Sequence, residues 1–164
     1  MNYKIFDEMD GEYCRKPGET EHSYMERILR DALTLPSEFE STCFLEEMKP
    51  VFRCCSAEEM SCSVNFVPQQ WQLNPNRKII NGGLILAAAD MTFGLLTHYY
   101  IRQYAEVTMT LTVNYMRSIP FDHPYYVKAM MRKTGQRVEN LYAEIIDDVT
   151  GALAADTTAL FMRL

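Results

Sequence analysis

Residues 81–101 read NGGLILAAADMTFGLLTHYYI, and the fold turns on this run. From Gly82 to Ile101 it holds twenty residues, of which only Asp90 is formally charged. Length alone would permit a membrane span of about 20 residues. Against a span stand the charge near its middle, the dilution by Ala87, Ala88, Ala89, Thr92, Gly94 and Thr97, and the alternating sequence that follows. A helix that is apolar all round must be enclosed, and here protein is expected to enclose it. Asn81 is a favoured N-cap, so the spacing predicts a helix from Asn81 to Arg102, roughly 30 Å long at ~1.5 Å per residue.

C-terminal to this run, Met109, Leu111, Val113 and Tyr115 alternate with Thr108, Thr110, Thr112 and Asn114, the period of a strand. Three more strands are predicted, Tyr125–Lys133, Val138–Asp148 and Ala152–Arg163, with Pro120 and Pro124 ahead of the first. The turn residues Thr134-Gly135 and Thr150-Gly151 separate them. Strands of about ten residues span roughly 33 Å, which matches the helix. A flat sheet would cover one helix face only, so the expected architecture is α+β, a long antiparallel sheet wrapped around one central buried helix.

N-terminal to the run, Val51–Cys55 and Met60–Phe66 read as two strands joined by a hairpin turn at Ser56–Glu59. Residues 68–76 read as a polar loop in which Trp71 acts as a packing anchor. Earlier still, Ser23 with Glu26 suggests a capping box for a helix carrying Met25, Ile28, Leu29, Ala32 and Leu33 on one face, stopped by Pro36. Ser37 with Glu40 suggests another for a helix reaching Met48. Residues 1–47 are therefore read as an N-terminal extension serving as a lid, a dimer contact or a simple addition, and 48–164 as the main domain.

At 164 residues and 48% hydrophobic, the chain suits one domain that needs no staples. The net charge of −6 resides in the first part: residues 1–60 carry 7 Lys+Arg against 14 Asp+Glu, residues 61–164 carry 9 against 8. Nucleic acid is an unsuitable main partner for such a balance, whereas a small phosphate-bearing ligand is not excluded. The five cysteines, with a vicinal pair at Cys54-Cys55, show no zinc spacing, so no metal is expected. Residues 1–13 lack the apolar core of a signal, so the expectation is a cytoplasmic protein that is not membrane-bound.

Asp90 needs a physical explanation, because an unpaired buried carboxylate costs several kcal/mol. Two roles stay open: a hydrogen-bond acceptor in a polar pocket or subunit seam, or a general base or nucleophile. At the helix start, Asn81-Gly82-Gly83 offers backbone N–H groups and the positive end of the helix dipole to a developing oxyanion, although a tight turn with packing glycines accounts for the pair equally well. Asp90 lies about 13 Å along the axis from Asn81. One carbonyl cannot touch both, so an enzyme built on them requires a homodimer with shared sites.

The stretch from Asn74-Pro75-Asn76-Arg77-Lys78 through Asn81-Gly82-Gly83 and Asp90 to Val113-Asn114-Tyr115-Met116 resembles acyl-CoA thioesterases of the hotdog superfamily, particularly the phenylacetyl-CoA type. The resemblance covers about residues 48–164. It implies a hotdog fold, a dimer joining its sheets edge to edge that can pair into a tetramer, and metal-free hydrolysis of an acyl-CoA in which CoA is part of the substrate rather than a cofactor. It further implies Asp90 as base or nucleophile, a Gly82 or Gly83 amide on the thioester oxygen, Thr108 assisting the carboxylate, and Asn74 or Asn76 orienting water or substrate. Where the family has His before the glycines this chain has Asn81, which cannot exchange a proton near neutrality. Arg132, Lys133 and Arg137 around the Thr134-Gly135 turn, or Arg77-Lys78, are candidates for the CoA phosphates; a solvated hairpin tip explains the first group as well. His98 and His123 are read as structural. Alternatives are a non-catalytic acyl-CoA binding module and, ranked last for want of an acid–base pair, a dehydratase or hydratase.

Overall fold

The computed structural model describes residues 14–34, 44–75, 78–101 and 106–164. Helix α1 (Glu21–Thr34) and the short α2 (Phe44–Met48) precede a hairpin of β1 (Val51–Ser56) and β2 (Ser61–Phe66). The long helix α3 (Gly82–Ile101) follows, and then β3 (Glu106–Tyr115), β4 (Tyr125–Thr134), β5 (Val138–Asp147) and β6 (Leu153–Arg163). The six strands form one sheet in the order β1-β2-β4-β5-β6-β3, antiparallel throughout. α3 packs on β2 to β6 and on α1, which makes it the central helix that the sheet curves around.

The strands alternate as their sequences require. On β4, Tyr125, Val127, Ala129 and Met131 are buried, and on β5, Leu141, Ala143 and Ile145 face the same core. From α3, Ile85, Ala88, Ala89, Phe93 and Leu96 enter that core, with Phe93 edge-to-face on Phe161 at 6.2 Å. On β2, Cys62, Val64 and Phe66 alternate with Ser61, Ser63 and Asn65 in sequence, but Ser61 and Ser63 are buried along with Cys62 and Val64, because β2 is an interior strand with neighbours on both edges. Trp71 lies in a 3-10 turn, Gln70–Gln72, and meets Phe44 edge-to-face at 6.3 Å while remaining half-exposed.

α1 belongs to the same core. Met25, Ile28 and Leu29 are fully buried against β1 and α3. Its cap differs from the expected Ser23–Glu26 box: the helix begins three residues earlier, and the Thr20 hydroxyl accepts from the Ser23 N–H at 3.1 Å while the Thr20 carbonyl accepts from Tyr24 at 3.0 Å. Ser23 is thus the third helical residue rather than the cap. The Ser37–Glu40 box, Arg102, and residues 1–13 fall outside the described residues.

The strand that looked clearest in sequence is the one that departs most. β3 ends the sheet, and its alternation breaks at Met109, where Thr108 pairs with Phe161 and Thr110 with Leu160. A bulge there moves the later residues by one position. Met109 and Tyr115, which the alternation groups on one face with Leu111 and Val113, are 49% and 50% exposed. Three side chains of β3 nevertheless reach α3: Tyr115 at Gly82, Thr108 at Asp90 and Glu106 at Thr97.

Glu106 takes the Thr97 hydroxyl on Oε1, while its Oε2 is buried without a partner among the described residues. Burial raises its carboxyl to about 7 from 4.5, outweighing the Thr97 hydrogen bond. Below 4.5 the group is neutral in both states; above it the unfolded chain ionises first, so the group's contribution to stability is progressively lost as pH rises towards 7. Glu106→Gln should therefore raise the melting temperature at about pH 8 and leave it nearly unchanged at about pH 4. An equal effect at both would refute the burial account. For α1, Leu29→Ala should cost about 2–5 kcal/mol in denaturant unfolding, as for a fully buried leucine; a loss below about 1 kcal/mol would mean the helix is a detachable extension.

Candidate active site

The loop ahead of α3 is organised by its own backbone. Asn81 N–H donates to the Gln72 carbonyl at 2.8 Å, Asn74 N–H to Ile79 at 2.9 Å, and Ile80 N–H to Ile119 at 3.0 Å. These bonds bring Asn74 beside Asn81, although the two are seven residues apart. The Asn81 Nδ2 donates to Asn74 Oδ1 at 2.8 Å, and the Asn81 Oδ1 accepts from the Gly83 N–H at 2.8 Å. Asn81 is thus a true N-cap held at its other end by Asn74. Between the two upstream asparagines, the structure places Asn74 at the helix start; Asn76 and Arg77 lie outside the described residues.

Of the two glycine amides, that of Gly83 is occupied by the Asn81 cap, whereas nothing among the described residues accepts from Gly82 N–H. Gly82 is covered from the strand side by Tyr115, whose hydroxyl donates to the Gly82 carbonyl at 2.5 Å. Tyr115 was not singled out as a site residue from sequence. The usable signal was the strand alternation, which puts it on one face with Leu111 and Val113 but not at any particular helix residue.

Asp90 sits midway along α3, half-buried, with Oδ1 accepting from the Thr108 hydroxyl at 2.9 Å. This is the contact the resemblance assigned to Thr108. Oδ2 has no hydrogen-bond partner among the described residues. Leu86, Ala87, Met91, Gly94 and His98 are also only half-buried, and they recur with Asp90 at helical spacing. Among the described residues, then, α3 keeps a half-buried stripe with Asp90 on it. One turn beyond Asp90, a cavity of about 220 Å³ opens between the helices and β3, with Leu33, Leu45, Met91, Gly94, His98 and Glu106 in its wall. It is apolar apart from His98 and Glu106, and it recruits α1 and α2.

The basic residues are less concentrated than their sequence positions suggest. Arg132, Lys133 and Arg137 are exposed at one end of the sheet, with the Arg132 guanidinium stacked 4.2 Å over the Tyr142 ring. Register carries that end, through Val138 opposite Met162 and Arg163 opposite Glu106, to the start of β3. Gly82 is at the other end of β3, beside Tyr115, with exposed Lys78 nearby in sequence. In one chain these two groups lie roughly 30 Å apart along the strands. His123 is structural: its Nδ1 lies 2.7 Å from Asp147, whose other oxygen accepts the Val149 and Thr150 N–H groups. Among the described residues no group of three or more His, Cys, Asp or Glu side chains could hold a metal ion.

The sequence model of the thioesterase superfamily matches residues 78–154, from the loop ahead of α3 into the start of β6. No curated protein matches the sequence. Solved structures share the fold at low identity. The PaaI protein of the phenylacetic acid degradation operon of E. coli superposes with a TM-score of 0.71 at 16% identity, covering 88% of this chain and 96% of its own. A phenylacetic acid degradation-related protein of Ralstonia eutropha gives 0.69 at 23% identity, covering 82% and 98%. Thioesterase superfamily member 2 of zebra fish gives 0.67 at 17% identity, covering 89% and 99%. A buried central helix, a six-stranded antiparallel sheet curved around it and these superpositions lead to one assignment: the chain has the hotdog fold, and its residues 78–154 are similar to the thioesterase superfamily.

Proposed function

We propose that the protein is a cytoplasmic enzyme that hydrolyses acyl-CoA thioesters as a homodimer, each site combining Asp90 of one subunit with the glycine turn of the other. The observation that carries this reading is the Asp90–Thr108 pair on the half-buried stripe of α3. A carboxylate held on one oxygen and open on the other suits a base or nucleophile. Gly82 and Asp90 are eight residues apart on one rigid helix, about 12 Å along its axis, so a second chain has to bring them together.

The open edge of β3 supports that pairing. It exposes backbone donors and acceptors together with Val107, Met109, Tyr115 and Met116, a combination that invites a second strand. A two-fold axis at this edge would continue the sheet from one subunit into the next and cover the α3 stripes.

In the reaction, Asp90 takes a proton from water, which adds to the thioester carbon, or attacks that carbon itself. The carbonyl oxygen gains negative charge facing the Gly82 N–H and the positive end of α3, which stabilise it. Where water attacks, collapse breaks the C–S bond and Asp90 returns the proton to release CoA as thiol; where Asp90 attacks, collapse expels CoA as thiolate and leaves an acyl-Asp90 anhydride, which water hydrolyses to the free acid and the Asp90 carboxylate, the proton set free going to the thiolate. Asn81 orients the turn without exchanging protons, and Asn74 holds Asn81. Gly83 can join the oxyanion site when the Asn81 carboxamide yields its N–H. Asn76 is a further candidate for orienting water. The acyl chain occupies the cavity past Gly94, and Arg132, Lys133 and Arg137 are offered to the CoA phosphates.

One observation favours a second reading, a binding module without turnover: the Gly83 N–H is already satisfied and position 81 carries no titratable group. A thiol-release assay over short, long and aromatic acyl-CoAs separates the two. Asp90→Asn should lower kcat by about 10²–10⁴-fold while acyl-CoA binding persists; binding without turnover in the wild type would establish the module. Light scattering should give a dimer or tetramer, and a monomer at micromolar concentration would refute the shared site.

A further inference from the structure

We propose that Tyr115 is a positioning residue for the glycine turn, its hydroxyl fixing the Gly82–Gly83 peptide and its ring reserving position 82 for glycine. The inference rests on reading that turn as the oxyanion-binding element.

The Tyr115 hydroxyl donates to the Gly82 carbonyl at 2.5 Å, and this carbonyl shares a peptide unit with the Gly83 N–H. A peptide that accepts a hydrogen bond at its oxygen is polarised, so its N–H becomes a stronger donor. The same bond ties the first turn of α3 to the end of β3, which keeps the Gly82 N–H from shifting as charge develops in front of it. Preorganised donors are effective because they need not move during the reaction.

The ring acts by exclusion. A Cβ added at Gly82 would lie 3.1 Å from Tyr115 Cζ, 3.2 Å from the hydroxyl oxygen and 3.3 Å from Cε1. A Cβ at Gly83 would meet only the flexible Asn81 carboxamide, at 3.1 Å. The two glycines therefore differ: position 82 is constrained by an aromatic ring, position 83 by its own cap.

Packing alone does not account for a phenol here. Tyr115 is half-exposed at the sheet edge and stands outside the buried cluster. Burial raises its hydroxyl above the ordinary tyrosine value, so it stays a donor through the neutral range. Its only described hydrogen bond is to the turn.

The test uses the full chain. Tyr115→Phe should lower kcat about tenfold with KM within about twofold, a smaller loss than removal of a direct oxyanion donor. It should also speed hydrogen exchange at the Gly83 amide at least about threefold without changing global stability by more than about 1 kcal/mol. Gly82→Ala should lower the melting temperature in the wild-type background and do so less beside Tyr115→Ala, where the ring is gone. An unchanged kcat with an unchanged Gly83 amide overturns the proposal, as does an effect confined to KM or a Gly82→Ala cost equal in both backgrounds. If the wild type cleaves no acyl-CoA, the proposed reaction fails, while amide exchange and the Gly82–Tyr115 cycle still decide the role of Tyr115.

Discussion

The fold depends on covering a helix that has no polar face. α3 buries Ile85, Ala88, Ala89, Phe93 and Leu96 under the sheet, and its flank under α1. One chain still leaves the stripe through Leu86, Asp90 and Gly94 half-covered. A hydrophobic stripe left at that depth is a driving force for association, at roughly 25 cal/mol for each Å² of apolar surface removed from water. The one carboxylate of the helix lies on this stripe and not in the sealed core. That placement reconciles an acidic group with an apolar helix: the side chain stays near solvent or a ligand, and Thr108 supplies its hydrogen bond.

β3 converts this helical asymmetry into geometry. It is the last strand of the sheet, joined on one side to β6 and open on the other. Because it runs alongside α3, its side chains register helix positions from end to end, Tyr115 at Gly82, Thr108 at Asp90 and Glu106 at Thr97. The bulge at Met109 lets Thr108 and Tyr115 face the helix together although they are an odd number of residues apart.

Local pattern made most of the architecture readable. The helix needed only the absence of charge from Gly82 to Ile101 and the cap at Asn81, and the strands after Pro124 needed only alternation and two glycine turns. The Asp90–Thr108 contact was legible through the resemblance alone, since nothing in the spacing says which strand residue meets a helix carboxylate. What pattern missed depends on tertiary neighbours. Ser61 and Ser63 look solvent-facing until β4 is seen to pair with β2. Met109 and Tyr115 look like core until β3 proves to be an edge strand carrying a bulge. Glu106 has no distinguishing sequence context, and its partner Thr97 looks like one more small residue on an apolar helix.

Asn81 shows why fold and chemistry have to be read separately. Its carboxamide caps the helix well, accepting from Gly83 and donating to Asn74, so the fold needs no imidazole there. The chemical consequence is different. In the proposed reaction, with no titratable group at the turn, proton transfer falls to Asp90, and stabilisation of the oxyanion falls to backbone N–H groups and the helix dipole. Those groups work only if the turn is rigid, because a dipole that must reorient loses much of its advantage. The rigidity is supplied from two directions, by Asn74 through the cap and by Tyr115 through the Gly82 carbonyl. A turn held this way can stabilise charge without donating a proton, which is the division of labour a carboxylate-based thioester hydrolysis requires.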